Sequence, residues 1–239
     1  MARMARAVVP GLPHHVTQRG VRSMPVFFSD DDRREYLALM AASAERFGLA
    51  FWAWCLMDNH VHFLVVPEAA DSLARGIGDA HRRYTRMVNF REGVRGHLFQ
   101  ERFHSYVVQR DAHAVAAGRY VELNPVAAGL AVRAEDWPWS SASYNAGESA
   151  EDALVESRAL EALAGPWADV LGQGAEEAEH LRIELHMNTG RPLGDEKWAR
   201  GLERRLERRL MALPVGWPRG RPRGRLRKKR GDERSGGKT

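Results

Sequence analysis

The chain has 239 residues, 44% of them hydrophobic, and a single cysteine, Cys55. That composition allows a buried core and excludes an intrachain disulfide framework. The net charge is only +5, but residues 214–239 hold 10 basic against 2 acidic side chains, residues 141–213 hold 9 against 14, and residues 1–140 hold 17 against 15. The basicity is therefore a tail.

Near the N-terminus Pro10, Pro13, His14 and His15 interrupt any leader-like apolar stretch. No apolar run approaches the roughly 20 residues of a membrane span, so the expectation is a cytoplasmic protein with no membrane contact. "HHVTQR" (14–19) reads as a strand with His15, Thr17 and Arg19 on one polar side. "SDDDRREYLALMAASAERFG" predicts a helix capped by Ser29, striped by Leu37, Met40, Ala41 and Ala44, and stopped at Gly48. "LAFWAWCLM" and "HVHFLVV" are two apolar runs separated by Asp58 and Asn59, a hairpin pattern. Asp71 or Ser72 opens a second helix with Leu73, Ile77, Ala80, Tyr84 and Val88 on one face and Arg75, Arg82, Arg83 and Arg86 elsewhere. "RFHSYVVQ" reads as a fourth strand. Asp111 then caps a third helix that Pro125 should stop.

Four strands with two interleaved helices predict an α+β fold, a ferredoxin-like antiparallel sheet with helices on one face. The boundary falls near "WPWSSASYNAG", giving a first domain over 1–145 and a helical extension over 146–213. Residues 214–239, rich in Pro, Gly and Arg, are expected to be disordered alone and to order on nucleic acid.

On a strand, His60 and His62 project to the same side, with Val61, Phe63 and Val65 opposite. Two neutral imidazoles on one face can bind a divalent ion, although His-x-His also describes surface or hydrogen-bonded histidines. A catalytic ion needs a further ligand. Asn124 is a candidate, four residues after Tyr120 and sharing its helical face, and an amide oxygen suits Mg²⁺ or Mn²⁺. The spacing is approximate beside Pro125. Tyr120 taken alone also describes a half-buried anchor.

In order, "HHVTQRG", "CLMDNHVHFLVV", "HRRYTRMVN", "GHLFQERF", "RYVELNPVAAGL", "WPWSSA", "NTGRPLGD" and "GRPRGR" resemble the REP-associated tyrosine transposases, the single-tyrosine branch of the HUH endonucleases. The resemblance implies His60 and His62 as metal ligands, Asn124 completing the site, and Tyr120 as the nucleophile that forms a covalent 5′-phosphotyrosine. It implies a metal-dependent single-stranded DNA endonuclease and strand transferase acting at hairpins, with Mg²⁺ or Mn²⁺ and no nucleotide cofactor. It also implies a monomer in a bacterial cytoplasm. Ala127 and His104 depart from the arginine and lysine common in relatives.

Candidate DNA contacts are His15, Thr17 and Arg19 on the first strand, Arg82, Arg83 and Arg86 on the second helix, and Arg221 and Arg223 in the tail. Arg102 and Arg119 are candidates for gripping phosphate or assisting Tyr120, and "NTGRPLGD" for hairpin recognition. Two other readings use the same residues. A phosphodiesterase that activates water needs the histidines but not Tyr120, and a non-catalytic nucleic-acid-binding regulator needs only the basic surfaces.

Overall fold

The computed structural model describes residues 6–174 and 176–212. Its elements run β1 (His14–Arg19), α1 (Asp30–Phe47), β2 (Leu49–Met57), β3 (His60–Pro67), α2 (Ser72–Arg91), β4 (His104–Val107) and α3 (Ala112–Ala127). They continue through α4 (Ala142–Asn145), α5 (Ala159–Ala164), α6 (Trp167–Gly172), α7 (Glu177–Thr189) and α8 (Glu196–Arg205). The strands form one antiparallel sheet in the order β2-β3-β1-β4, the predicted α+β arrangement with β1 and β3 central. No helix among the described residues is long and apolar enough to cross a membrane.

Local chemistry sets the element ends. The Ser29 hydroxyl accepts from the Asp32 N–H, and Gly48 closes α1 in the left-handed region at φ 63°. The β2–β3 hairpin turns through Asp58 and Asn59, pairing Met57 with His60. A bulge between Phe51 and Ala53 shifts the register by one residue. Its effect is to send Phe51 and Trp54 to one face of the sheet, and Trp52 and Ala53 to the other.

The two interleaved helices, α1 and α2, do lie on one face, packed over Val16, Phe51, Trp54, Val61, Phe63 and Val65. The opposite face is covered as well. There α3 packs on Trp52, Ala53, Cys55 and Leu64, and Leu160, Trp167, Val170, Leu171 and Ile183 complete the same core. Gly118 permits this: a Cβ there would lie 2.6 Å from Leu160 Cδ1 and 3.3 Å from the Trp167 ring.

Pro125 does not stop α3, which runs on to Ala127. The proline sits in the last turn, and the Asn124 side-chain amide donates to the carbonyls of Tyr120 at 2.7 Å and Val121 at 3.4 Å. Val121 is the residue whose carbonyl loses its usual donor at Pro125.

One buried carboxylate ties α3 to the chain that follows. Glu122 is fully buried and accepts from Ser141 Oγ at 2.5 Å, Asn145 Nδ2 at 2.6 Å and Trp167 Nε1 at 2.6 Å. Burial pushes its carboxyl up to about 7, against the opposing pull of those three donors. In the window between the ordinary carboxylate value and about 7, the folded chain holds a proton that the unfolded chain has lost. Stability therefore falls as pH rises through that window, by on the order of 3 kcal/mol. The midpoint of thermal unfolding of the wild type is expected to drop relative to Glu122→Gln between pH 5 and pH 8. A gap that is flat or widens the other way contradicts this assignment.

Candidate nucleic-acid processing site

The α3-facing side of β3 and β1 carries His60, His62 and, directly opposite them in register, Arg19 and Thr17. His60 and His62 meet edge to face with ring centroids 4.9 Å apart. His60 Nδ1 lies 2.6 Å from Asn59 Oδ1, an acceptor, so this nitrogen carries the proton and Nε2 keeps its lone pair. Burial, reinforced by Arg19, lowers His60 to about 4. Burial, with neighbouring His15 and His60, holds His62 well below the ordinary histidine value. Both rings are neutral at physiological pH, the form that can ligate.

His15 does not face DNA. It is 1% exposed and stacked on His62 at 5.2 Å and 8°, with its Nε2 3.0 Å from His62 Nδ1. Period two places it on the right side of β1, but α3 covers that end of the strand. Its place behind His62 is that of a partner fixing the ring's orientation. If His62 presents Nε2 as a lone pair, its Nδ1–H donates to His15.

Tyr120 on α3 reaches the same place, its ring centroid 5.7 Å from that of His62. Burial, then the charge of Glu184, pushes its phenol up to about 12, with Arg19 pulling the other way. Asn124 follows one turn later. Its NH₂ is committed to the Tyr120 carbonyl, so the amide oxygen is the end left to face the cavity. His60, His62, Tyr120 and Asn124 all line one cavity of about 750 Å³, together with Thr17 and Arg19. The two departures from the family pattern, His104 and Ala127, are in its wall.

The far wall comes from α7, part of the expected helical extension, of which the sequence offered a site candidate only at its end, from Asn188. His180, Glu184 and Asn188 line the cavity. His180 lies 4.9 Å ring to ring from Tyr120, and its Nε2 is 3.4 Å from Glu184 Oε1. Their spacing of four residues is a one-face helical stripe that the sequence does display. Nothing local connects an acidic helix to β3, however.

The remaining predicted contacts divide. Arg119 is not available to phosphate: it is 8% exposed and bonded to Glu179 at 2.6 Å and Gln173 at 3.3 Å. Arg119→Ala is expected to cost about 2 kcal/mol of stability by stranding Glu179, while DNA affinity stays within about twofold. Thermal denaturation and fluorescence anisotropy measure the two, and a large affinity loss without destabilisation would restore Arg119 to the DNA surface. Arg82, Arg86 and Arg102 line a separate cleft, whereas Arg83 is exposed and lines neither cavity. Of "NTGRPLGD", Asn188 reaches the cavity, Leu193 bridges Val108, and Asp195 caps α8. Arg221 and Arg223 lie outside the described residues.

With this geometry in hand, residues 11–124 match the family model described as transposase IS200 like. All four residues gathered by β3 and α3 fall inside that IS200-like segment, whereas His180 and Glu184 fall beyond it. A curated relative from Haemophilus influenzae, named a REP-associated tyrosine transposase, is 25% identical over 117 residues. That alignment covers 45% of this chain and 66% of the relative, so the chain spans slightly less than two thirds of that protein. A solved REP-associated tyrosine transposase bound to a REP hairpin matches with a TM-score of 0.50 at 16% identity, over 66% of this chain and 92% of that one. At that identity the likeness concerns the fold.

Proposed function

We propose that the chain is a metal-dependent endonuclease and strand transferase for single-stranded DNA at hairpins, working through a 5′-phosphotyrosine at Tyr120. The observation that carries this reading is the convergence of His60, His62, Asn124 and Tyr120 on one cavity. The solved fold relative bound to a REP hairpin supports hairpin DNA as the substrate class.

The donors present fit a divalent ion. Two neutral imidazole nitrogens and one amide oxygen add no negative charge, and the amide is already turned oxygen-outward by its bond to the Tyr120 carbonyl. His60, His62 and Asn124 would hold Mg²⁺ or Mn²⁺. When bound, such an ion neutralises charge on the phosphate oxygens and makes phosphorus more electrophilic. In the transfer, Tyr120 Oη bonds to phosphorus as the P–O3′ bond breaks, and the 3′-oxygen leaves with the bond pair and takes up a proton, balancing the one the phenol loses. The products are a phosphotyrosine at the 5′ end and a free 3′-OH. Because the ester conserves the bond, a 3′-OH can later reverse the step without ATP. Thr17 and Arg19 line the same cavity and would meet an incoming phosphate.

His180, braced by Glu184, is the titratable ring beside the phenol. His180→Ala is expected to lower the single-turnover cleavage rate about 100-fold with DNA affinity unchanged. Equal losses in both would make it a binding residue instead.

The overall test incubates the full chain with an end-labelled hairpin bearing single-stranded flanks, plus Mn²⁺, on a denaturing gel. A slow-migrating covalent adduct that disappears in Tyr120→Phe supports transferase chemistry. Cleavage that survives Tyr120→Phe and is lost in His60→Ala indicates a phosphodiesterase. Binding with no cleavage indicates a regulator.

A further inference from the structure

The two histidines that would hold a metal are fixed from opposite directions. His62 is held from the core by His15, whose Nε2 lies 3.0 Å from His62 Nδ1. His60 is held from the surface, by Asn59 in the β2–β3 turn. Asn59 is held in its own place by a second turn, 20–24, which follows β1.

Turn 20–24 is tight. The Ser23 N–H donates to the Gly20 carbonyl at 3.1 Å, and the Met24 N–H to the Val21 carbonyl at 2.9 Å. Arg22 and Ser23 both take the left-handed region, at φ 53° and 59°, where residues other than glycine seldom stand. Gly20 is required, because a Cβ there would lie 2.2 Å from the Met24 carbonyl oxygen. Arg22, Ser23 and Met24 are exposed. Two bonds lock this surface turn to the hairpin. The Gly20 N–H donates to the Asn59 carbonyl at 2.8 Å, and Asn59 Nδ2 donates to the Ser23 carbonyl at 3.1 Å.

The second of these bonds decides where His60 carries its proton. A carbonyl only accepts, so Asn59 must turn its NH₂ towards Ser23. That leaves Oδ1, also only an acceptor, 2.6 Å from His60 Nδ1. The proton of the neutral ring is therefore on Nδ1 and the lone pair on Nε2. With the Ser23 carbonyl displaced, the amide is free to rotate and offer its NH₂ to the ring. Nδ1 then accepts, and Nε2 takes the proton and cannot ligate. We infer that turn 20–24 positions the metal ligand His60, with Asn59 as the positioning residue and the Ser23 carbonyl as the group that orients its amide. The inference rests on the metal site of the proposed function.

The test begins with the metal-free full chain carrying ¹⁵N-histidine. NMR should find His60 protonated at Nδ1 in the wild type and in Asn59→Asp, which keeps the acceptor oxygen, and shifted towards Nε2–H in Asn59→Leu. Calorimetric titration with Mn²⁺ follows. Asn59→Leu should weaken binding about tenfold, the scale for a partner one bond removed from the ion. Ser23→Pro cannot hold a positive φ and should cause the same loss from outside the cavity. Ser23→Gly keeps the carbonyl, suits the turn, and should bind within about twofold of the wild type. Added to Asn59→Leu, Ser23→Pro should weaken binding no further. Thermal unfolding checks that each variant is folded, and Asn59→Leu keeps the tautomer reading decisive where Ser23→Pro is not. An unchanged Nδ1–H tautomer in Asn59→Leu, wild-type Mn²⁺ affinity in both variants, or a Ser23→Pro loss that persists in full beside Asn59→Leu overturns the inference and leaves the proposed function standing. No Mn²⁺ binding by the wild type overturns the proposed function, and the metal-free tautomers then decide the positioning of His60 by themselves.

Discussion

Tyr120→Phe is expected to reduce hairpin cleavage by at least about 10⁴-fold, the scale on which removal of a nucleophile acts, while the protein stays folded. The two halves of that expectation have separate causes. The ring packs in the core between β1, β3 and α7, 8% exposed, and phenylalanine keeps that packing. The hydroxyl makes no hydrogen bond among the described residues, so its removal strands no partner. Stability should therefore move by no more than about 0.5 kcal/mol. Chemistry has no substitute, because Tyr120 is the phenol lining the cavity of His60 and His62. With its phenol held up to about 12, only about one molecule in 10⁵ is ionised at neutral pH in the protein alone. The site must lower that barrier when loaded. Single-turnover cleavage alongside thermal unfolding reads both halves. Residual cleavage above one hundredth of wild type would mean that water, not tyrosine, attacks.

The second large effect belongs to the histidines. His62→Ala and His60→Ala should each weaken Mn²⁺ binding by at least about 100-fold, since the loss of even an outer partner costs 10- to 100-fold. They should differ in stability. His62 is 3% exposed, stacked on His15 and hydrogen-bonded to it, so its removal leaves a gap and an orphaned ring. That costs about 2 kcal/mol. His60 is only partly buried and bonds to the adjacent Asn59, so its loss should cost under about 1 kcal/mol. Calorimetric titration with Mn²⁺ and thermal unfolding separate ligation from packing. Unchanged Mn²⁺ affinity in both variants would remove the metal from the account.

The α+β class was legible from the order of strands and helices, and the hairpin and the shared face of His60 and His62 from a two-residue turn and period two. That Tyr120 and Asn124 share a helical face was legible from one helical turn, even though Pro125 was expected to end the helix, whereas their roles came from the family resemblance alone. Asn124's amide covers carbonyls where the proline removes a donor, so the turn survives. What the sequence could not show is which side chains later elements cover. His15 was assigned to the polar side of β1 correctly, yet α3 buries it against His62. Arg119 looked like a surface cation because its partner, Glu179, is 60 residues away. Glu122 sits beside the motif residues but gains its three donors from Ser141, Asn145 and Trp167, a tertiary network with no local pattern. His180 and Glu184 were hidden for the same reason.

The most direct test is to trap the wild-type chain with Mn²⁺ on a flanked hairpin, digest the product, and identify by mass spectrometry the residue carrying the 5′-nucleotide phosphate. The expected product is a nucleotidyl adduct on the peptide containing Tyr120, linked through the phenol oxygen. Cleaved DNA with a free 5′-phosphate and no adduct, or an adduct on any other residue, would contradict it.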